Sequence, residues 1–171
     1  PMLDRVRENL FNIIRFEVVE ARILDLFSGC GSLGIEALSR GAEDCVFVES
    51  DRELRPVIEE NLKRCGLMER AVVLGKDVFN LAGRPPPPGY EAADVVLADP
   101  PYAFIDDPNQ RARLFEVLED MVGSMIRVGA LLVVHHAPMP HALWPTEILK
   151  CFDRRVYGNS QITLFRVEET E

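Results

Sequence analysis

Asp99-Pro100-Pro101-Tyr102 is the segment of this sequence best equipped for chemistry. Each proline fixes its own φ and lacks an N–H, so the segment presents rigid carbonyl acceptors and no backbone donor at either proline. A planar amine can give one N–H to the Asp99 carboxylate and another to the Pro100 carbonyl. With both protons held, its lone pair points at an incoming methyl group, and such positioning lowers the entropic part of a barrier. Tyr102 is suited to stack on the base bearing that amine, worth about 1–3 kcal/mol per base. A base inside a duplex would first have to leave the stack. Alone, the tetrapeptide would be an exposed turn; what changes its meaning is a glycine-rich turn upstream.

That turn lies in Ile23 to Gly34, Ile-Leu-Asp-Leu-Phe-Ser-Gly-Cys-Gly-Ser-Leu-Gly. An apolar run broken at Asp25 passes through Gly29, Gly31 and Gly34 into a helical pattern, which reads as strand, turn, helix. Glycines allow a sharp turn and close approach of a ligand, and the first N–H groups of the helix need acceptors. The spacing Gly29-x-Gly31-x-x-Gly34, with Glu49 about twenty residues on, also fits the dinucleotide fingerprint. Spacing therefore leaves NAD and S-adenosylmethionine both open. Asp25 favours the second, since a carboxylate at the strand end suits an amino or sulfonium group and repels a pyrophosphate. Asp99 to Tyr102 favours it further.

The elements that must position these residues follow from periodicity. From Asp4, a candidate N-cap, Val6, Leu10, Ile13 and Ile14 recur at helical spacing. After the glycine turn, Leu33, Ile35, Ala37 and Leu38 form a helix that Gly41 can end. Cys45 to Val48 is a strand ending at Glu49. Asp51 caps a helix carrying Leu54, Ile58, Leu62 and Cys65, in which Pro56 fits only if the helix starts a turn later. Ala71 to Leu74 is a third strand leading to Asp77 and Val78; Pro85 to Pro88 is a stiff connector. Ala93 to Ala98 is a buried strand that delivers Asp99. Asp107-Pro108 starts a helix, Ala130 to Val134 is a fifth strand, and His135 and His136 follow it with no partner visible in the sequence. A short helix is expected between His141 and Leu149. Phe152 to Tyr157 and Ile162 to Val167 form a hairpin through Gly158-Asn159-Ser160.

Strands alternating with helices predict an α/β, doubly wound, Rossmann-like sheet, mostly parallel, with an antiparallel hairpin at its C-terminal end. In such sheets ligands bind beyond the carboxyl ends of the strands, where strand order reverses. Gly29, Glu49, Asp77 and Asp99 all fall at those ends.

With 171 residues, 47% hydrophobic and 27% charged, the chain is expected to be one soluble globular domain over 1–171. No apolar run approaches the roughly 20 residues of a membrane span, and the charged, amphipathic start is unlike a secretion signal. Cys30, Cys45, Cys65 and Cys151 show no CxxC or zinc spacing, so reduced, mostly buried thiols, no metal and a cytoplasmic location are expected. A net charge of −9 argues against a protein that coats nucleic acid through basic groups. It leaves room for a local basic rim drawn from Arg5, Arg7, Arg15, Arg111, Arg113, Arg154 and Arg155.

Several of these stretches together resemble a known family. Asp4 to Asn12 (Asp-Arg-Val-Arg-Glu-Asn-Leu-Phe-Asn), Leu26 to Ala42, Asp99 to Tyr102 and the late Tyr157-Gly158 are similar to the bacterial small-subunit ribosomal RNA guanine-N2 methyltransferases. These belong to the S-adenosylmethionine-dependent amino-methyltransferases carrying Asp-Pro-Pro-Tyr. The likeness runs over nearly the whole chain and implies a seven-stranded methyltransferase sheet. It implies that Asp25, Phe27, Gly29, Gly31 and Gly34 hold the cofactor, with Gly29 and Gly31 near its methionine part. Glu49 would bind the ribose hydroxyls, and Asp77 with Val78 would border the adenine. Asp99 and Pro100 would hold the target amine, Tyr102 would lie against the base, and Arg5, Arg7 and Pro101 would meet the substrate. The partner implied is ribosomal RNA within an assembling small subunit, with neither membrane nor metal. That family has a short basic segment before Asp-Arg-Val-Arg-Glu, and this sequence starts almost at that stretch, so an N-terminal piece is expected to be missing.

Three other readings compete. A DNA adenine or cytosine amino-methyltransferase would share the tetrapeptide, but no separate target-recognition domain fits in 171 residues. An NAD-dependent oxidoreductase would share the glycine spacing and Glu49, but lacks an evident acid or base for hydride transfer. A cofactor-binding scaffold without catalysis is the third. No cysteine adjoins the Pro-Pro corner, which argues against thiolate chemistry at a ring carbon.

Overall fold

A computed structural model describes residues 2–140 and 143–169. Its strands β1 (Arg22–Leu26), β2 (Asp44–Val48), β3 (Ala71–Leu74), β4 (Ala93–Ala98), β5 (Ile126–His136), β6 (Leu149–Tyr157) and β7 (Ser160–Val167) form one sheet in the order β3-β2-β1-β4-β5-β7-β6. The first five run parallel, and β7 inserts antiparallel between β5 and β6. Strand order reverses between β1 and β4, which opens a crevice at their carboxyl ends.

Parallel strands covered on both faces read as continuous apolar runs, and the pleat sends alternate residues to opposite sides. On one face Ile23, Phe47, Leu97 and Val133 pack with α1 (Asp4–Ile13), α3 (Ser32–Ser39) and α4 (Leu54–Arg64) through Leu10, Phe11, Leu38, Ile58 and Leu62. On the other, Leu24, Val96, Leu132 and Phe165 pack with α6 (Pro108–Asp120) through Leu114, Phe115 and Leu118. A single turn, α2 (Arg15–Val18), joins α1 to β1, and α5 (Tyr102–Asp106) precedes α6. The Asp107 side chain caps α6 by accepting from Asn109 and Gln110 amides, and Pro108 takes its first turn.

Several sequence expectations are corrected. Asp4 is not an N-cap; it opens α1 and pairs with Arg7 one turn on, at 3.1 Å. Asp51 stands before α4, which starts at Leu54, so Pro56 sits in the first turn where a missing N–H costs nothing. β5 runs through His136 rather than stopping at Val134, because β7 continues to pair with it. The helix expected from His141 to Leu149 starts on residues outside those described, and Trp144 to Ile148 are not helical. Cys30 and Cys65 are exposed, whereas Cys45 is buried. Among the described residues, no helix is long and apolar enough to cross a membrane.

Candidate active site

A cavity of about 840 Å³ opens at the carboxyl ends of β1 to β4, lined by Phe27, Gly29, Glu49, Asp77, Asp99 and Tyr102 among others. Its floor is the glycine turn. Just past β1, Phe27 has φ of 58°, an uncommon conformation for a bulky residue, and Gly29 (58°) and Gly31 (85°) continue the left-handed path into α3. Ser28 locks the bend, its hydroxyl donating to the Asp25 carbonyl at 2.8 Å and its amide to Val48 at 3.1 Å. Glu49 Oε2 accepts the Gly29 amide and Oε1 the Asp51 amide, each at 2.8 Å. Both oxygens are thus fixed by backbone, with further lone pairs for a ligand.

The three glycines do different work. A Cβ on Gly29 would meet nothing within 4 Å, so its bare face is open to the cavity. Gly31 and Gly34 do not line it. A Cβ on Gly34 would stand 2.7 Å from Cys45 Sγ and inside contact distance of the Phe47 ring, so this glycine lets α3 lie against β2.

Asp25 does not reach the cavity. It is buried behind the turn, Oδ2 accepting the Gly34 amide at 3.0 Å, while Oδ1 has no hydrogen-bond partner. Burial pushes its carboxyl up to about 8, with Asp99 and Glu49 adding like-charge repulsion. A largely neutral acid that braces the turn is not a counter-ion for a cationic ligand, so the charge argument drawn from this residue does not hold.

The opposite wall is aromatic. Asp77 Oδ1 accepts the Phe79 amide at 3.0 Å and so caps a single 3₁₀ turn, Val78–Asn80, with Val78 buried beneath. Phe27, Phe79 and Phe104 meet edge to face with centroids 5.3 to 6.3 Å apart, all three on the cavity wall. Sequence reading named Phe27 and missed Phe79 and Phe104, for which the only signal was a phenylalanine close to each motif. Arg113 lies over the Phe79 ring at 4.5 Å.

Asp99, Pro100, Pro101 and Tyr102 form the remaining side, with Tyr102 opening α5 rather than ending a loop. His135 joins them. Its Nδ1 lies 2.7 Å from Asp99 Oδ1 and its Nε2 3.4 Å from the Tyr102 hydroxyl. Burial and the nearby Asp99 carboxylate hold the Tyr102 phenol above its usual value, so it stays protonated at neutral pH.

Of the basic candidates, Arg111 is buried with Nη1 donating to the Ile105 carbonyl at 2.6 Å, and Arg155 pairs with Asp153 at 3.1 Å. Arg7 lines a separate recess of about 270 Å³ behind the turn, with Cys30, Ser32, Asn61 and Arg64. Arg5 is exposed on α1 and lines neither hollow. Among the described residues no group of three or more His, Cys, Asp or Glu side chains is placed to hold a metal ion.

A protein-family model described as conserved hypothetical protein 95 matches residues 1–166. The chain is 37% identical over 106 residues to the ribosomal RNA small subunit methyltransferase D of Haemophilus influenzae, covering 61% of this chain and 53% of that protein. The solved structure of yhhF from Escherichia coli superposes with a TM-score of 0.81 and 26% identity over 98% of this chain and 89% of its own. An RNA methyltransferase from Salinibacter ruber, solved in complex with S-adenosyl-L-homocysteine, shares the fold at a TM-score of 0.74 and 18% identity, over 100% and 95% of the two chains. The chain spans about half the length of the curated relatives it matches.

Proposed function

The chain belongs to the conserved hypothetical protein 95 family, and from that premise we propose that it transfers a methyl group from S-adenosylmethionine to ribosomal RNA, at the exocyclic N2 of a guanine in the small subunit. One observation carries the reading: the Glu49 clasp on the glycine turn and the Asp99-Pro100 corner open on the same cavity. The names of the relatives support RNA methylation, and the guanine amine is the class of acceptor that the corner suits.

The residues present fit this cofactor. Glu49, held by two amides, offers a fixed carboxylate to a pair of vicinal hydroxyls. Gly29 has open space where a side chain would block approach. Asp77 and the phenylalanine wall suit the edge and face of a purine. When bound, S-adenosylmethionine supplies an electrophilic methyl on a positive sulfur. The protein's own part is to orient: the Asp99 carboxylate and the Pro100 carbonyl accept the two amine protons, and Tyr102 lies against the base. Asp99 also accepts the proton that the amine gives up. No covalent bond to the protein is needed.

The test is calorimetry joined to methyl transfer. S-adenosylhomocysteine is expected to bind and NADH not to. Asp99→Ala is expected to keep that binding while losing transfer to ribosomal RNA or assembling small subunits, with N2-methylguanosine as the product detected by mass spectrometry. NADH binding in place of S-adenosylhomocysteine, or full turnover by Asp99→Ala, overturns the reading.

A further inference from the structure

The tetrapeptide Asp99 to Tyr102 has a partner from elsewhere in the chain. β4 and β5 are parallel neighbours in register at Leu97 with Val133 and Ala98 with Val134. One step further along that register stand Asp99 and His135, on the face shared with Leu97 and Val133. His135 is 3% exposed, and both of its ring nitrogens are directed at tetrapeptide side chains. A carboxylate has only acceptors, so the proton in the 2.7 Å contact belongs to Nδ1. In the neutral imidazole Nε2 is then an acceptor, and the Tyr102 hydroxyl 3.4 Å away is its donor.

We propose that His135 is a positioning residue of this site: its Nδ1–H fixes Asp99 through Oδ1 so that the second carboxylate oxygen is left for the substrate amine, and its Nε2 steadies the Tyr102 ring. The proposal rests on the methyl-transfer reading above and deepens it by adding a residue that touches neither cofactor nor base. A buried histidine serving only the fold would also need its ring nitrogens satisfied. What sets this one apart is that both partners are the groups assigned to the amine and the base. An unrestrained carboxylate can rotate about χ2, and a misplacement near 1 Å costs about 100-fold in rate.

Three variants and one spectrum test it. In His135→Ala, kcat is expected to fall about 100-fold, while KM for RNA and affinity for S-adenosylhomocysteine stay unchanged. In His135→Asn, whose side-chain N–H can fall near the position of Nδ1–H, one recovered hydrogen bond is expected to restore on the order of tenfold of that loss. Should His135→Ala fail to fold, His135→Asn against wild type carries the kinetic test. Equal losses in both variants, a loss only in KM, or full activity in either one overturns the proposal. Long-range proton–nitrogen NMR of the free protein is expected to show His135 protonated on Nδ1, with that resonance moved in Asp99→Ala. A protein with this signal that methylates nothing refutes the transferase reading and leaves the pair standing. A protein that methylates RNA with His135 protonated only on Nε2 refutes the pair alone.

Discussion

His135 and His136 stand side by side at the end of β5, and the pleat sends them into two unlike regions. His135 faces the cavity side, where Glu49, Asp99 and, behind the turn, Asp25 gather at the ends of adjacent strands. His136 is fully buried on the other side. Its Nδ1 donates to the Ala137 carbonyl at 2.6 Å, its Nε2 accepts from Thr163 Oγ1 at 2.7 Å, and its ring meets Trp144 edge-on at 4.9 Å. Thr163 Oγ1 in turn accepts from Gln161 Nε2 at 3.0 Å. His136, Thr163 and Gln161 consume one another's bonding capacity, which fixes the junction of β5 and β7, while the Trp144 indole Nε1 beside them has no partner among the described residues. On the cavity side capacity is left over as spare lone pairs on Glu49 and Asp99. The same strand end therefore serves stability on one face and a ligand on the other.

The comparison makes the two sides respond oppositely to pH, and the cavity side should respond most. Asp25 keeps in the folded state a proton that the unfolded chain releases near pH 4, since its folded value is about 8. Its contribution is present at low pH and is lost as pH rises from about 4 to about 8, by at most about 6 kcal/mol. Relative to Asp25→Asn, wild type should lose stability over that interval in denaturant melts. A flat difference would show that the brace is not a buried neutral acid.

His136 tilts the other way. Burial, with His135 adding to it, holds its imidazole down at about 4. Below about pH 6.5 the unfolded chain takes up a proton that the folded protein refuses until about pH 4, so stability falls as pH falls through that window, by up to about 3 kcal/mol. The stability advantage of wild type over His136→Phe should shrink between those limits; an advantage that grows would contradict the sealed-side assignment. The smallest effect sharpens the contrast. Thr163→Val should cost about 1–2 kcal/mol, by leaving His136 Nε2 and Gln161 Nε2 without their shared partner, yet leave methyl transfer by the surviving folded protein unchanged. A loss of turnover at full stability would join the two faces into one functional unit.

Much of the fold was legible because its signals are local. Apolar runs bounded by glycine, the Asp107-Pro108 helix start and the Gly158-Asn159 turn each declare an element within a few residues. Arg111 and Arg113 show the limit of such reading. Two residues apart on α6, one turns inward to the Ile105 carbonyl and the other rests on Phe79, a distinction set by which helix face packs on the sheet.

From sequence alone came the alternation that makes a parallel sheet, the glycine-rich bend after β1, and the Pro-Pro corner with its acid and its aromatic ring. These are properties of short stretches, fixed by allowed dihedrals and side-chain chemistry. Tertiary structure alone decided that Asp25 turns behind the bend while Glu49 turns into the cavity, that three separate phenylalanines share a wall, and that Asp99 meets a histidine 36 residues later. Those outcomes depend on strand adjacency, register and pleat parity, which are set by how whole faces pack and by no single segment.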